Sequence, residues 1–112
     1  MIKTDAFTSE LQELAKFTRV LSHPARLAIL QYLADTKTCI SGDISDYIPL
    51  SRSTVSQHLK ELKELGLIQG EVHGLKINYC LCNSQITKFK KMFDNFFRDM
   101  TSIDIICDIN CK

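Results

Sequence analysis

No stretch of this 112-residue chain is apolar for long enough to cross a membrane, a task that takes about 20 consecutive residues. The opening Met1-Ile2-Lys3-Thr4-Asp5 carries no apolar signal core, so a cytoplasmic protein with no membrane partner is expected. Glycine is scarce. Four residues leave no phosphate-cradling Gly-rich loop and little material for catalytic loops. There is no Ser-His-Asp order and no paired carboxylate motif, which argues against an enzyme; Cys80-x-Cys82 is the one enzyme-like hint. Net charge is nearly absent too, at +1, which is small for a polyanion binder unless the positive charge is local or two copies act together. Five cysteines, an odd number in a reducing compartment, argue against a disulfide framework. They leave metal binding, redox chemistry or no role. No internal repeat or linker is visible. Residues 1–112 read as one domain, whose limited core would benefit from a dimer interface.

The remaining pattern is helical at both ends. Residues 9–21 form a first helix, with Ser9 and Gln12 as a capping box and Leu11, Leu14, Ala15, Phe17 and Leu21 apolar. Ser22-His23-Pro24 is a break and restart, and a second helix runs from about 24 to 34. Asp35-Thr36-Lys37-Thr38 reads as a loop. Ile40, Ile44 and Ile48 at i, i+4, i+8 predict a third helix that begins near Ile40-Ser41 and stops at Pro49. In the fourth, Ser51 caps the start, Val55, Leu59 and Leu62 form an inward stripe, and Gly66 ends it. The period then drops to two. Residues 67–72 and 75–82 read as strands of a hairpin turning at His73-Gly74. Residues 84–101 return to a helix, with Ile86, Phe89, Phe93, Phe96, Phe97 and Met100 apolar, followed by a Cys-bearing tail.

These elements amount to a mostly α fold with a β-hairpin wing (α+β): four helices, two strands and a fifth helix, in the order of a winged helix-turn-helix. The fourth helix turns Arg52, Ser53, Thr54, Ser56, Gln57, His58 and Lys60 outward or to its flanks, mostly from its N-terminal half. Gln pairs with adenine edges, Arg with guanine edges, and Ser with bases or phosphates, so this face suits the major groove of double-stranded DNA. A merely solvated amphipathic helix carries the same residue types. His58, at the edge of the apolar stripe, reads as a packing or phosphate-contact residue, with a sensory role as the alternative. Four Phe on the last helix exceed what a small core absorbs. That helix therefore reads as half of a homodimer interface with the first helix; the alternative is that it closes the monomer core.

Two blocks carry a family resemblance. Leu21-Ser22-His23-Pro24-Ala25-Arg26-Leu27-Ala28-Ile29-Leu30 resembles the opening of the ArsR/SmtB repressors. Leu50-Ser51-Arg52-Ser53-Thr54-Val55-Ser56-Gln57-His58-Leu59-Lys60 resembles their recognition helix, and Gly66-Leu67-Ile68 with Tyr79-Cys80-Leu81 resembles the frame of their wing. The resemblance covers residues 11 to about 82. It implies a winged-helix homodimer that represses an operon from an inverted-repeat operator and releases it when an inducer binds. Its DNA contacts fall on Arg52, Ser53, Ser56 and Gln57. The wing departs from the family pattern: where paired Arg and a further Arg often stand, this chain has Glu71, Val72 and Leu75, leaving Lys76 as the wing's cation. The last helix has no His, which removes a zinc site of the family's Asp/His kind. Of the Cys-x-Cys pair of the arsenic and cadmium sensors, Cys39-Ile40-Ser41 keeps one thiol.

Cys107 and Cys111, at i, i+4, share one helical face. With Cys39 they would make a three-thiolate site for a soft ion such as As(III), Sb(III) or Cd(II), bound as inducer and not as a required cofactor. Reversible oxidation of the same thiols and bystander thiols on a frayed tail are the alternatives. Cys80 and Cys82 alternate away from Tyr79 and Leu81 and read as small strand hydrophobes. Two further readings stay open at this point: a constitutive regulator, and a winged-helix module that binds protein.

Overall fold

The computed structural model describes residues 6–36, 40, 41, 44, 47–73 and 76–102, with backbone alone at 40, 41, 71–73, 76 and 77. The described elements are α1 (Ser9–Val20), α2 (Pro24–Thr36), β1 (Ile40–Ser41), α3 (Arg52–Leu65), β2 (Ile68–His73), β3 (Lys76–Leu81) and α4 (Asn83–Thr101). The mostly α, winged helix-turn-helix expectation holds, and α3 is the helix expected to carry the polar outer face.

Local chemistry sets most of the boundaries. Thr8, not Ser9, caps α1: its Oγ1 accepts from the Leu11 amide at 3.2 Å. Gln12 reaches back to the Phe7 carbonyl at 2.8 Å instead of closing a box with Ser9. Two adjacent hydroxyl residues compete for the cap, and the earlier one adds a turn residue to the helix. α2 runs two residues beyond the expected end, and the Thr36 hydroxyl folds back to donate to the Leu33 carbonyl at 2.9 Å. Ser51 caps α3 as expected, accepting from Thr54 N at 3.4 Å. Gly66 ends α3 at φ 88°, with its amide donating to Lys63 O and the Leu67 amide to Leu62 O. That is a Schellman turn, which needs the left-handed conformation. A Cβ at Gly66 would also stand 3.2 Å from Gln85 Cγ.

The expected third helix does not begin at Ile40-Ser41. Those two residues are a strand, pairing antiparallel with β3 (Ile40↔Tyr79, Ser41↔Asn78) in a sheet of order β1-β3-β2. The isoleucine spacing satisfied a helical period, but the unpaired edge of β3 offers a ladder to the segment entering the helix-turn-helix. In the hairpin, β2 extends to His73, which pairs with Lys76, so His73 belongs to a strand and not to the expected turn.

One core joins these elements. Phe17, Ile29, Leu33, Ile44, Ile48, Val55, Leu59, Leu62, Leu65, Leu67, Ile68 and Phe89 are buried together. Tyr79, Leu81 and Ile86 pack against its edge. The inward stripe of α3 therefore clamps it to α1, α2 and the base of the wing, and its other side is left to solvent.

Candidate nucleic-acid interface

The functional face is built by default: once Val55, Leu59, Leu62 and Leu65 are buried, the intervening residues of α3 must point out. Arg52, Ser53, Thr54, Ser56, Gln57 and Lys60 are all exposed. Thr54 is partly committed to the cap, its hydroxyl lying 2.8 Å from Ser51 Oγ. Gln57 Nε2 donates to Glu61 Oε1 at 3.4 Å, one turn on. Lys76 is the first residue of β3.

His58 lies apart from the other candidates. It is half-buried and turned toward α2, where its Nδ1 accepts from Arg26 Nε at 2.9 Å. Arg26 is the feature that sequence reasoning passed over. It is the one buried charged side chain among the described residues, 7% exposed, and it uses its whole guanidinium. A second nitrogen donates to the Val20 carbonyl at 3.0 Å, and a third forms an ion pair with Glu61. One side chain from α2 thus ties the end of α1 to two successive turns of the helix that carries the polar face. The fork geometry of Arg suits it to this triple role better than Lys. A lowered affinity for protons accompanies the arrangement: burial first, then the Arg26 charge, then His23 hold His58 below its ordinary 6.5. The His23 ring lies 5.6 Å away. An open cleft of about 460 Å³ beside Arg26 is lined by Lys16, Arg19, His23, Glu61 and Glu64.

Residues 23–69, from the start of α2 through the polar helix, match the family model for bacterial regulatory proteins of the arsR family. The HTH-type transcriptional regulator CmtR of Mycobacterium tuberculosis is 35% identical over 83 residues, covering 72% of this chain and 70% of that protein. The chain belongs to the arsR family. Its fold is similar to that of an ArsR-like transcriptional regulator from Rhodococcus sp. RHA1, with a TM-score of 0.69 at 21% identity, over 85% of this chain and 89% of that one. The NMR structure of the cadmium metal-sensor CMTR from Mycobacterium tuberculosis aligns with a TM-score of 0.51 at 27% identity, over 88% of this chain and 96% of that one. As an arsR-family protein it is a DNA-binding transcriptional regulator, and its relatives are regulators and not enzymes. None of the helices among the described residues is long and apolar enough to cross a membrane.

The thiols of this arsR-family chain divide into two sets. Cys39, Cys107 and Cys111, the expected soft-ion ligands, lie outside the described residues. Among the described residues no group of three His, Cys, Asp or Glu could hold a metal. Cys80 and Cys82 are half-buried and differ in state. Cys80 is disulfide-bonded, against the expectation drawn from the odd cysteine count, and Cys82 is a free thiol. Cys82 precedes the first turn of α4. No full cap bond forms there, yet the Ser84 hydroxyl at 3.6 Å and the amides of Gln85 and Ser84 favour its thiolate and hold it below the ordinary value.

The apolar surface expected at the ends of the chain is present. Phe17 of α1 stacks on Phe89 of α4 at 4.2 Å, and Phe89 is the buried residue of α4. Outside that seam Phe7, Leu11, Phe96, Phe97 and Met100 are exposed.

Proposed function

We propose that this regulator is a homodimeric repressor that reads an inverted-repeat operator through α3 and is released by a soft, thiol-directed ion. The outward N-terminal half of α3 carries the reading. Arg52, Ser53, Ser56 and Gln57 supply groups that recognise base edges and phosphates, while Lys60 adds charge to the phosphate side. Thr54 holds the start of the helix, His58 holds its placement through Arg26, and Lys76 brings the wing to the backbone. The exposed Phe96, Phe97, Met100, Phe7 and Leu11 support pairing of two chains through α1 and α4. Two α3 helices related by a dyad then meet successive major grooves with centres about 34 Å apart. Dimerisation also answers the small net charge, since two weak half-site contacts add.

The inducer reading rests on ligand chemistry and on a relative. Cys39, Cys107 and Cys111 offer three soft donors, which suit As(III), Sb(III) or Cd(II), and a relative of this chain is described as a cadmium metal-sensor. The ion needs only a differential affinity for the two states of the dimer, typically about 1–3 kcal/mol.

A single titration tests both halves. Operator binding is followed by fluorescence anisotropy on an inverted-repeat duplex and on a scrambled one, with and without cadmium or arsenite. Gln57→Ala should lose discrimination between the duplexes by about 1–3 kcal/mol. Cys107→Ser/Cys111→Ser should bind normally and fail to release. If Gln57→Ala discriminates as wild type does, α3 is not the reader; if the double variant still releases, the tail thiols are not the sensor.

A further inference from the structure

Three side chains form a line from the interior to the outer face of α3. Arg26 is buried, with its guanidinium bonded to His58 Nδ1 at 2.9 Å and to the Val20 carbonyl at 3.0 Å. Its remaining nitrogen pairs with Oε2 of Glu61. The other carboxylate oxygen, Oε1, accepts from Gln57 Nε2 at 3.4 Å, across one turn of α3. Glu61 is half-buried and Gln57 exposed, so the line starts on a buried group and ends on a candidate base reader.

The chemistry of this line has a direction. Arginine only donates, and in its ion pair Glu61 is a carboxylate, which only accepts. The end of Gln57 that meets Glu61 must therefore be its NH₂. An unconstrained glutamine amide flips and offers either end. Here one hydrogen of Nε2 is turned back to Glu61, which leaves Oε1 and the second hydrogen for the groove. That pair matches an adenine edge, where the N6 donor lies beside the N7 acceptor. Guanine presents two acceptors, O6 and N7, and Gln57 has one hydrogen left for them.

We propose that Glu61 is a positioning residue for base preference: it holds the Gln57 amide in one orientation and so makes adenine, not guanine, the base that Gln57 reads. The proposal rests on the reading in which Gln57 meets a base edge, and it adds the base and the residue that selects it. A strut that only steadied α3 through Arg26 would weaken every sequence alike when removed. Glu61→Gln separates the two roles. Its carbonyl must face Arg26, so its NH₂ faces Gln57, whose amide then turns its oxygen back and its own NH₂ to the groove. An acceptor edge is favoured in place of adenine.

The full chain, as wild type, Gln57→Ala, Glu61→Gln and Glu61→Ala, is equilibrated with a pool of randomised duplexes at one salt concentration, and the bound duplexes are sequenced. The position whose preference disappears in Gln57→Ala is the one Gln57 reads. There wild type should favour adenine over guanine by about 5–150-fold, the value of one bidentate pair. Glu61→Gln should reverse or erase that ratio without reordering the bases at other positions. Glu61→Ala frees the amide and should bring the ratio toward one, which decides the matter where Glu61→Gln does not fold. Variants that bind more weakly in the wild-type order overturn the proposal and leave Gln57 a reader. A wild-type preference for guanine at that position overturns it whatever the variants do. If Gln57→Ala alters no position, Gln57 reads no base and the proposal falls with that reading.

Discussion

α3 and α4 are both amphipathic helices packed on the same core, and they turn opposite chemistry to the outside. α3 buries four residues, Val55, Leu59, Leu62 and Leu65, and exposes Arg, Ser, Gln and Lys. α4 is longer yet buries Phe89 alone, and it exposes Phe96, Phe97 and Met100. A helix whose apolar residues are all used on its own core has only hydrogen bonds and charge to offer a partner, which fits a polyanion in water. A helix that leaves aromatic rings outside gains by excluding water against a second apolar surface. Under the proposed function the difference separates two tasks within one small fold: α3 would determine what is read, and α4 how many readers act together. It also places their sensitivities differently. α3 is held by a buried polar clamp, whereas α4 is held by aromatic contacts of Phe17, stacked on Phe89 at 4.2 Å and tilted against Phe93 at 5.2 Å.

The strongest way to break this division is to put a charge on the outer face of α4. Phe97→Asp should leave the monomer folded, because Phe97 is half-exposed there, and should prevent pairing, because the carboxylate would be desolvated in the interface. Losing the linked second half-site typically costs about 10²–10⁴-fold in affinity. Sedimentation velocity with an operator titration checks both parts. A dimeric variant with wild-type affinity would show that α4 carries no interface.

The next effect belongs to the clamp. Arg26→Leu removes the donor to Val20 O and His58 Nδ1 and leaves Glu61 without its ion pair. Breaking a buried pair costs about 3–5 kcal/mol, and the low end is expected here because Glu61 keeps contact with water. Chemical denaturation should report that loss, and dimerisation through α4 should persist at protein concentrations where the chain stays folded. If stability falls by less than about 1 kcal/mol, the range of an exposed ion pair, then Arg26 is no clamp.

Sequence reading found α3 and passed over Arg26 for one physical reason. The stripe Val55, Leu59, Leu62, the Ser51 cap and the Gly66 stop are local: each is decided by residues within a turn or two, and each stands as expected. The burial of Arg26 depends on His58, 32 positions away, and on a carbonyl at the end of another helix. In a one-dimensional view Arg26 is a charge on a helix and belongs outside. β1 failed the same way. Ile40, Ile44 and Ile48 carry a sound helical period, but strand pairing is settled by β3, which lies some forty residues later and is invisible to any period. The contrast between α3 and α4 was legible in composition, because four Phe on one helix outnumber the core positions open to them. The proposed soft-ion ligands Cys39, Cys107 and Cys111 fall outside the described residues, so Cys107 and Cys111 rest on their spacing and Cys39 on the family resemblance.

The smallest expected effect sharpens the comparison from the α3 side by making its clamp titrate. His58 Nδ1 accepts from Arg26, so it must be unprotonated for the bond to exist. Every neighbour but one opposes protonation. Arg26 on α2 and His23 before it repel a second positive charge, and burial disfavours it, while Glu61 on α3 itself faces Arg26 and is already paired. The folded-state value of His58 is therefore depressed below 6.5. A depressed histidine means that the unfolded chain binds the proton more tightly. The stabilisation is complete above pH 6.5 and is lost as pH falls through the lowered folded-state value. Thermal melts between pH 7.5 and 5 should show Tm falling in the acid half of that range. His58→Gln keeps an acceptor for Arg26 and cannot titrate there, so its melts should be flatter than those of wild type. An α3 that reads DNA should show the same pH dependence in operator affinity, because loosening Arg26 loosens the helix that carries Gln57. Dimerisation through α4, which has no histidine in its seam, should not change over the same interval. Wild-type melts that parallel His58→Gln throughout would remove the proton from the account and leave Arg26 as a purely structural clamp.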